Sequence, residues 1–257
     1  MNDRKLVLPG DFLGEGRSGN NAFMDGNKVY SRSVGLVEEK GGVFFVIPLS
    51  GIYSPKRGDG VVGKVQEIIF SKFIIDINSP YEAVLSLSEA TDEYIDLTKT
   101  DLTQYLNYDD LIFAEIISVS KTKNVQLSMK DRKCRKLRGG RVVNVTPAKV
   151  PRIIGKGGSM VEMIKETTNT QIVVGQNGIV WVKGDNEDIA IEAIIEVEKK
   201  SHVHGLTDKI KDMVEKRMTA EKRVRTDAEG RPHTSDRKVD AEDNHSPMHE
   251  DFNGDDD

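Results

Sequence analysis

Between two runs of helical apolar spacing the chain reads Arg152-Ile153-Ile154-Gly155-Lys156-Gly157-Gly158, three glycines and a lysine where a helix would otherwise continue. A glycine in a helix interior costs about 1 kcal/mol relative to alanine. Three within four residues therefore force the backbone out of the helix. The apolar spacing resumes at once with Val161 and Ile164. The segment is either a turn between two helices or a backbone surface shaped to receive a ligand.

Its surroundings narrow the choice. Residues 141–146 (RVVNVT) read as a strand, and Pro147 opens a short helix ending at Ile154. Residues 159–168 form a second helix. Residues 171–175 and 179–184 make a hairpin about Gln176-Asn177-Gly178, a strong Asn-Gly turn. Asp185 is placed to cap a last helix whose Ala190, Ile194 and Val197 recur at helical spacing. The predicted order is β-α-α-β-β-α over residues 140–202. Trp181, alternating with Val180 and Val182, is expected in the core.

Upstream, the period switches to two. Residues 60–69, 72–78, 82–88, 110–120 and 124–130 give five strands, with turns at Asn78-Ser79-Pro80 and Lys121-Thr122-Lys123. In the last, Val125, Leu127 and Met129 share one face and Asn124, Gln126 and Ser128 the other. A polar stretch from Glu89 to Asp110 separates the third and fourth strands. Five strands with a long third connection over residues 58–131 suggest an OB-type barrel, a pattern other small barrels share. Residues 1–55 carry short strands, a turn at Asp25-Gly26 and a hairpin about Gly41-Gly42. This small all-β domain has too little apolar content for a large core and is expected to pack on something else. Its GEGRSG, Gly14 to Gly19, matches G-x-G-x-x-G in letters only. A turn and a strand follow it rather than a helix, so a loop is favoured over a nucleotide site.

Charge is distributed unevenly. Residues 226–257 hold eleven acidic and three basic side chains, and the other 225 residues carry 34 basic against 31 acidic. A helical extension over 203–225 and a disordered acidic tail over 226–257 follow from this composition. Within the body, residues 130–141 (KDRKCRKLRGGR) hold seven basic side chains and one acid, either a solvated linker or a phosphate-binding strip. The longest apolar run, Val43–Leu49, is far short of the roughly 20 residues of a membrane span. The N-terminus lacks a signal-peptide core, so secretion is not expected. Cys134 is the only cysteine, which fits a reducing cytoplasm and excludes a Cys-paired zinc site. His202 and His204 lack companion ligands, so no metal site and no cofactor is expected. No carboxylate pairs with an activated nucleophile, so no catalytic residues are assigned and the chain is not expected to be an enzyme.

The pattern Ile153-Ile154, Gly155-Lys156-Gly157-Gly158, Val161, Ile164 within β-α-α-β-β-α resembles the KH domain, a binder of RNA and single-stranded DNA. The resemblance implies that Arg152, Gly155, Lys156, Gly157 and Gly158 contact a nucleic-acid backbone. Residues 58–131, with Phe70-Ser71-Lys72-Phe73 at the first strand turn, resemble the S1 domain, an OB-fold RNA binder. There Phe70 and Phe73 would stack on bases, with Lys72, Lys121 and Lys123 nearby. A core position for one phenylalanine is the competing reading. Family members often carry a histidine near the end of the third strand, and here Leu85-Ser86-Leu87 has a serine. Arg135 and Arg138 of the basic run complete the expected RNA contacts.

An N-terminal β domain opening with LVLPGD, then S1, then KH resembles the RNA-binding cap subunits of the archaeal exosome, over about residues 5–210. The resemblance implies a non-catalytic, cytoplasmic protein whose partners are single-stranded RNA and a hexameric ring of RNase-PH-like subunits. The cap would be trimeric, with residues 1–55 docking on the ring that degrades RNA from its 3′ end with phosphate. A free-standing S1/KH regulator or RNA chaperone is the alternative. A polynucleotide-phosphorylase-like enzyme would need the reverse module order and two catalytic domains for which there is no room.

Overall fold

Tight glycine turns fold residues 5–50 into short hairpins. The computed structural model describes residues 5–91, 105–201 and 205–229. Strands β1 (Leu6–Val7), β2 (Phe12–Glu15), β3 (Arg17–Ser18), β4 (Ala22–Asp25), β5 (Lys28–Ser31), β6 (Gly35–Lys40) and β7 (Val43–Pro48) form two sheets, ordered β1-β6-β7-β3 and β2-β5-β4. The β4–β5 and β6–β7 hairpins turn at Asp25-Gly26 and Gly41-Gly42, as the sequence suggests. The core is small: Ala22, Val29 and Phe44, with Leu13 and Val37 against them. The GEGRSG glycines serve packing, because a Cβ on Gly14 or Gly19 would collide with the rings of Phe44 or Phe45.

Alternating apolar residues then build a closed barrel from β8 (Gly60–Ile69), β9 (Lys72–Asp76), β10 (Ala83–Ser86), β11 (Leu111–Val119) and β12 (Val125–Ser128). The strand order is β12-β10-β9-β8-β11, and a β11–β12 pairing closes it. β10 and β12 run parallel, with Val84 opposite Gln126. This is the expected OB-type topology. Two details differ from the sequence pattern. A four-residue helix, α1 (Leu87–Ala90), takes the end of the third predicted strand and the first two residues of the stretch read as polar. Ser128 is buried, although alternation puts it outside. Burial is tolerated because its hydroxyl meets Glu89 and accepts from the Lys130 N–H, so it is not left unpaired.

The basic run is not a linker. Its centre forms β13 (Arg135–Leu137), which adds to the barrel sheet beside β11. The chain goes directly on to β14 (Arg141–Asn144), a 3-10 turn (Pro147–Lys149) and α2 (Val150–Ile154). After the glycine loop come α3 (Ser159–Thr168), β15 (Thr170–Val174), β16 (Ile179–Gly184) and α4 (Glu187–Lys199), giving β-α-α-β-β-α with sheet order β14-β16-β15. The N-cap of α4 is Asn186, not Asp185; its amide donates to Thr168 O across the turn. α5 (Leu206–Glu229) drives Leu206, Ile210 and Val214 into the same core as Ile153, Ile164 and Ile194. It therefore completes this domain instead of extending from it. The helix continues past Thr226, since no glycine or proline occurs before Gly230. From Glu221 onward the chain belongs to a second unit. The acidic tail beyond Glu229 lies outside the described residues, as do His202 and His204.

One face of this second sheet packs on its helices and the other packs on the barrel. Trp181 joins Val62 and Leu137 in a cluster between the two domains, and its Nε1 donates to Gly139 O at 2.7 Å. The Asn-Gly turn is the key piece. Asn177 is 0% exposed. Its Nδ2 donates to Val62 O at 2.7 Å and Ile77 O at 2.8 Å, and its Oδ1 accepts from Val62 N at 3.3 Å. β8 pairs with β9 only from Lys64 onward, so Val62 has no strand partner on that side. The Asn177 amide supplies one. Gln176 N adds a bond to Gly60 O at 2.8 Å.

Replacing Asn177 with alanine leaves these backbone groups buried and unpaired, a loss of about 3 kcal/mol in unfolding free energy. The Val62 amide should then exchange with deuterium far faster than amides inside the β8–β9 ladder. Unchanged exchange at Val62 would remove Asn177 from the joint.

Candidate nucleic-acid interface

The glycine loop follows from where α2 must stop. Gly155 adopts φ 78° and ψ 175°, a conformation closed to other residues, and turns the chain out of the helix. A Cβ there would lie 2.7 Å from Met160 N, so this glycine is fixed by packing. Gly157 and Gly158 also have positive φ, 62° and 87°, but a Cβ on either would meet nothing within 4 Å. These two present bare backbone to open space. Lys156, just before them, is exposed, and Arg152 is exposed one turn back on α2. α3 begins at Ser159, so its first amides, which have no partner within the helix, open beside the loop. The arrangement offers backbone N–H groups, a helix N-terminus and two cations to an anion chain. Glu198 of α4 steadies the base of α2 by accepting from Thr146 N and Oγ1, both at 2.7 Å.

On the barrel, β9, β10 and β12 present a second surface. Ile74, Val84 and Gln126 stand in register across it, with Lys72 opposite Ser86. Phe70, in the β8–β9 turn, is 76% exposed at one end. Phe73 is not part of this surface: at 0% exposure it lies in the barrel core with Leu85 and Ile75. The reason is the strand period. Phe73, Ile75 and Ile77 point inward and Lys72 and Ile74 outward, while Phe70 precedes the strand. A three-residue spacing across a turn does not put two rings on one face. Phe73 as a stacking residue is therefore corrected to a core residue.

The other end of the face holds Lys121 and Lys123, both exposed, in the β11–β12 turn. Lys123 Nζ lies 5.7 Å from the ring centre of Tyr81. Sequence reading missed Tyr81; the only signal was an aromatic beside the Asn78-Ser79-Pro80 turn. Ser86, where related modules often have histidine, faces outward with its hydroxyl 3.2 Å from that of Ser88. The two turns sit at opposite ends of β10, about 13 Å apart at strand rise.

In the basic run, structure and charge divide the cations. Lys136 pairs with Asp110, Arg141 with Asp188 and Lys130 with Glu89. Arg135 and Arg138 are exposed, and Arg138 O accepts from Lys183 Nζ. β13 lies beyond β8 and β11 from the β9–β10 face. The predicted contacts therefore form three surfaces rather than one cleft. Cys134 is held as a thiol: burial and the nearby Asp131 carboxylate push its pKa up to about 11. Among the described residues no group of His, Cys, Asp and Glu could hold a metal ion.

Three family models match in the same order. That for the exosome RNA binding protein RRP4 N-terminal domain covers residues 4–50, the RRP4 S1 domain covers 52–118 and a KH domain covers 140–188. The exosome complex component Rrp4 of Pyrococcus abyssi is 44% identical over 225 residues, 85% of both chains. That of Thermococcus kodakarensis is 46% identical over 222 residues, 84% of this chain and 86% of the relative. A crystal structure described as a candidate exosome complex RNA-binding protein superposes with TM-score 0.60 at 32% identity, covering 68% of this chain and 99% of that one.

The loop geometry separates the roles of its residues. Gly155→Ala forces a side chain against Met160 N at positive φ and should lower unfolding free energy by about 2 kcal/mol. Lys156→Asp touches only solvent and should change it by less than about 0.5 kcal/mol. Urea titration of both variants checks this; equal stability would mean that Gly155 is not fixed by packing.

Proposed function

Because the chain belongs to the Rrp4 family of exosome components, we propose that it is the RNA-binding cap of an archaeal exosome. It captures single-stranded RNA and delivers it to a ring of RNase-PH-like subunits, which shorten RNA from the 3′ end with phosphate. The observation that carries the reading is the open backbone of Gly157 and Gly158 on a domain locked to an S1 barrel. Phosphates lie against the loop and Lys156, while bases stack on Phe70 and reach Lys72, Lys121 and Lys123. Arg152, Arg135 and Arg138 add charge along the way. The protein contributes binding and no chemistry, and works in the cytoplasm. Among the described residues no helix is long and apolar enough to cross a membrane.

The N-terminal domain docks on the ring in a trimeric cap. Its support is an aromatic row across the β2-β5-β4 sheet. Phe12, Tyr30 and Phe23 lie in register, with ring centres 5.8 and 5.7 Å apart, and the two phenylalanines are exposed. Leu6, Leu8 and Met24 of the same domain are exposed as well. An apolar row of this kind on a domain with a small core fits a protein partner. A free-standing RNA regulator accounts for the RNA surfaces but leaves this row without a purpose.

Two measurements test the reading. Lys156→Asp should weaken binding to single-stranded RNA and reduce the salt slope by about 0.7, the share of one phosphate contact. Phe70→Ala should cost roughly 1–3 kcal/mol with little change in slope. Wild-type affinity and slope in a folded Lys156→Asp protein would reduce the loop to a turn. Separately, a chain lacking residues 1–55 should fail to co-elute with ring subunits in size exclusion while still binding single-stranded RNA through the glycine loop and the Phe70 face. Co-elution of the truncated chain would refute docking through this domain.

A further inference from the structure

A cavity of about 500 Å³ lies where three parts of the chain meet: β7, the segment that leads into the barrel, and the start of α2. Its apolar walls are Ile47, Ile52, Pro147 and Pro151. Its neutral polar groups are amides and hydroxyls, among them those of Asn20, Ser50, Ser54 and Gln176. Lys56 is the one lining cation and Asp59 the one lining anion. Asp59 Oδ2 accepts from the Tyr53 hydroxyl at 2.7 Å, and the Tyr53 ring is packed into the barrel core. This anchor fixes the connecting segment and leaves its neighbour Ile52 78% exposed on the cavity wall. An aliphatic side chain held in water by an anchored segment stands ready for a flat apolar ligand.

The cavity shares a helix with the glycine loop. Pro147 and Ala148 of the 3-10 turn and Pro151 of α2 line it, and Gly155-Lys156-Gly157-Gly158 follows the end of that helix. From Ala148 to Lys156 is about 12 Å at helical rise. That separation is within the reach of the four nucleotides a loop of this kind clamps. Prolines and isoleucine suit the face of a base, and neutral amides and hydroxyls suit its edge. The Asp59 carboxylate disfavours a phosphate beside it, while the exposed Lys56 ammonium suits one.

We infer that this junction is a nucleotide subsite: it takes one base of single-stranded RNA, next to those whose backbone lies on the glycine loop, with the adjoining phosphate at Lys56. The inference rests on the RNA-binding reading and extends it to residues of the N-terminal domain and the connecting segment. The subsite would make full RNA affinity, beyond what the glycine loop and the barrel supply, depend on the N-terminal domain being present in the same chain.

The test uses the full chain with single-stranded RNA carrying 4-thiouridine at successive positions, followed by cross-linking and mass spectrometry. The subsite predicts cross-links on peptides spanning Ser50–Lys56 or Pro147–Pro151, besides those at the glycine loop. Ala148→Phe, which fills the cavity, should weaken binding about ten-fold without altering the salt slope. Lys56→Ala should reduce that slope by about 0.7. Ile52→Ser provides a second affinity variant if Ala148→Phe is misfolded by circular dichroism. The cross-links decide: in a wild-type chain that binds RNA, their absence from both peptides overturns the subsite and leaves the loop and barrel readings intact. A wild-type chain that binds no RNA at low salt overturns the RNA-binding reading and the subsite together.

Discussion

The arrangement of the molecule depends on one buried amide. β8 runs past the end of β9, leaving the N–H and C=O of Val62 facing outward with no strand to pair them. In a free barrel water would serve; under a second domain it cannot. Asn177 brings two donors and one acceptor to that spot, satisfying Val62 on both sides and Ile77 as well. Apolar contact between Trp181, Val62 and Leu137 supplies attraction without direction. The Asn177 bonds set the register, because a shift of one residue would leave several polar groups buried and unpaired.

Two binding modules on a flexible tether would share RNA through an effective concentration set by the tether. Here the tether is gone. The run that might have been a linker is consumed by β13, and Lys183 and Trp181 hold the carbonyls of Arg138 and Gly139. The glycine loop and the Phe70–Lys123 face therefore keep a constant spacing, and no ordering entropy is lost in bringing them together. The joint also has a cost. The backbone of the β15–β16 turn is committed to the barrel through Asn177 and the Gln176 N–H.

Much of this was legible in the residues. The helical break at Gly155 to Gly158, the five alternating strands and the order β-α-α-β-β-α all express local periodicities, and they appear where predicted. What escaped notice depends on long-range contact. Asn177 reads as an ordinary Asn-Gly turn, because nothing local says that its side chain will enter another domain. β13 hides in a charge run, since strand propensity is poor in Arg and Lys and only pairing with β11 makes it a strand. Phe73 illustrates the limit of spacing: three residues from Phe70, it sits on the opposite side of the barrel wall because a turn resets the alternation. Tyr81 could be recognised only once folding brought Lys123 over its ring.

The central claim is that barrel and KH domain move as one body. Amide ¹⁵N relaxation on the full chain tests it directly, since rotational diffusion is fitted separately for residues 60–91 with 105–137 and for residues 141–201. The account predicts one diffusion tensor for both sets, in orientation and rate, with and without single-stranded RNA. Two tensors that differ beyond error in the free protein would contradict it, and would mean that the Asn177 bonds do not hold the glycine loop and the Phe70–Lys123 face at a fixed spacing in solution.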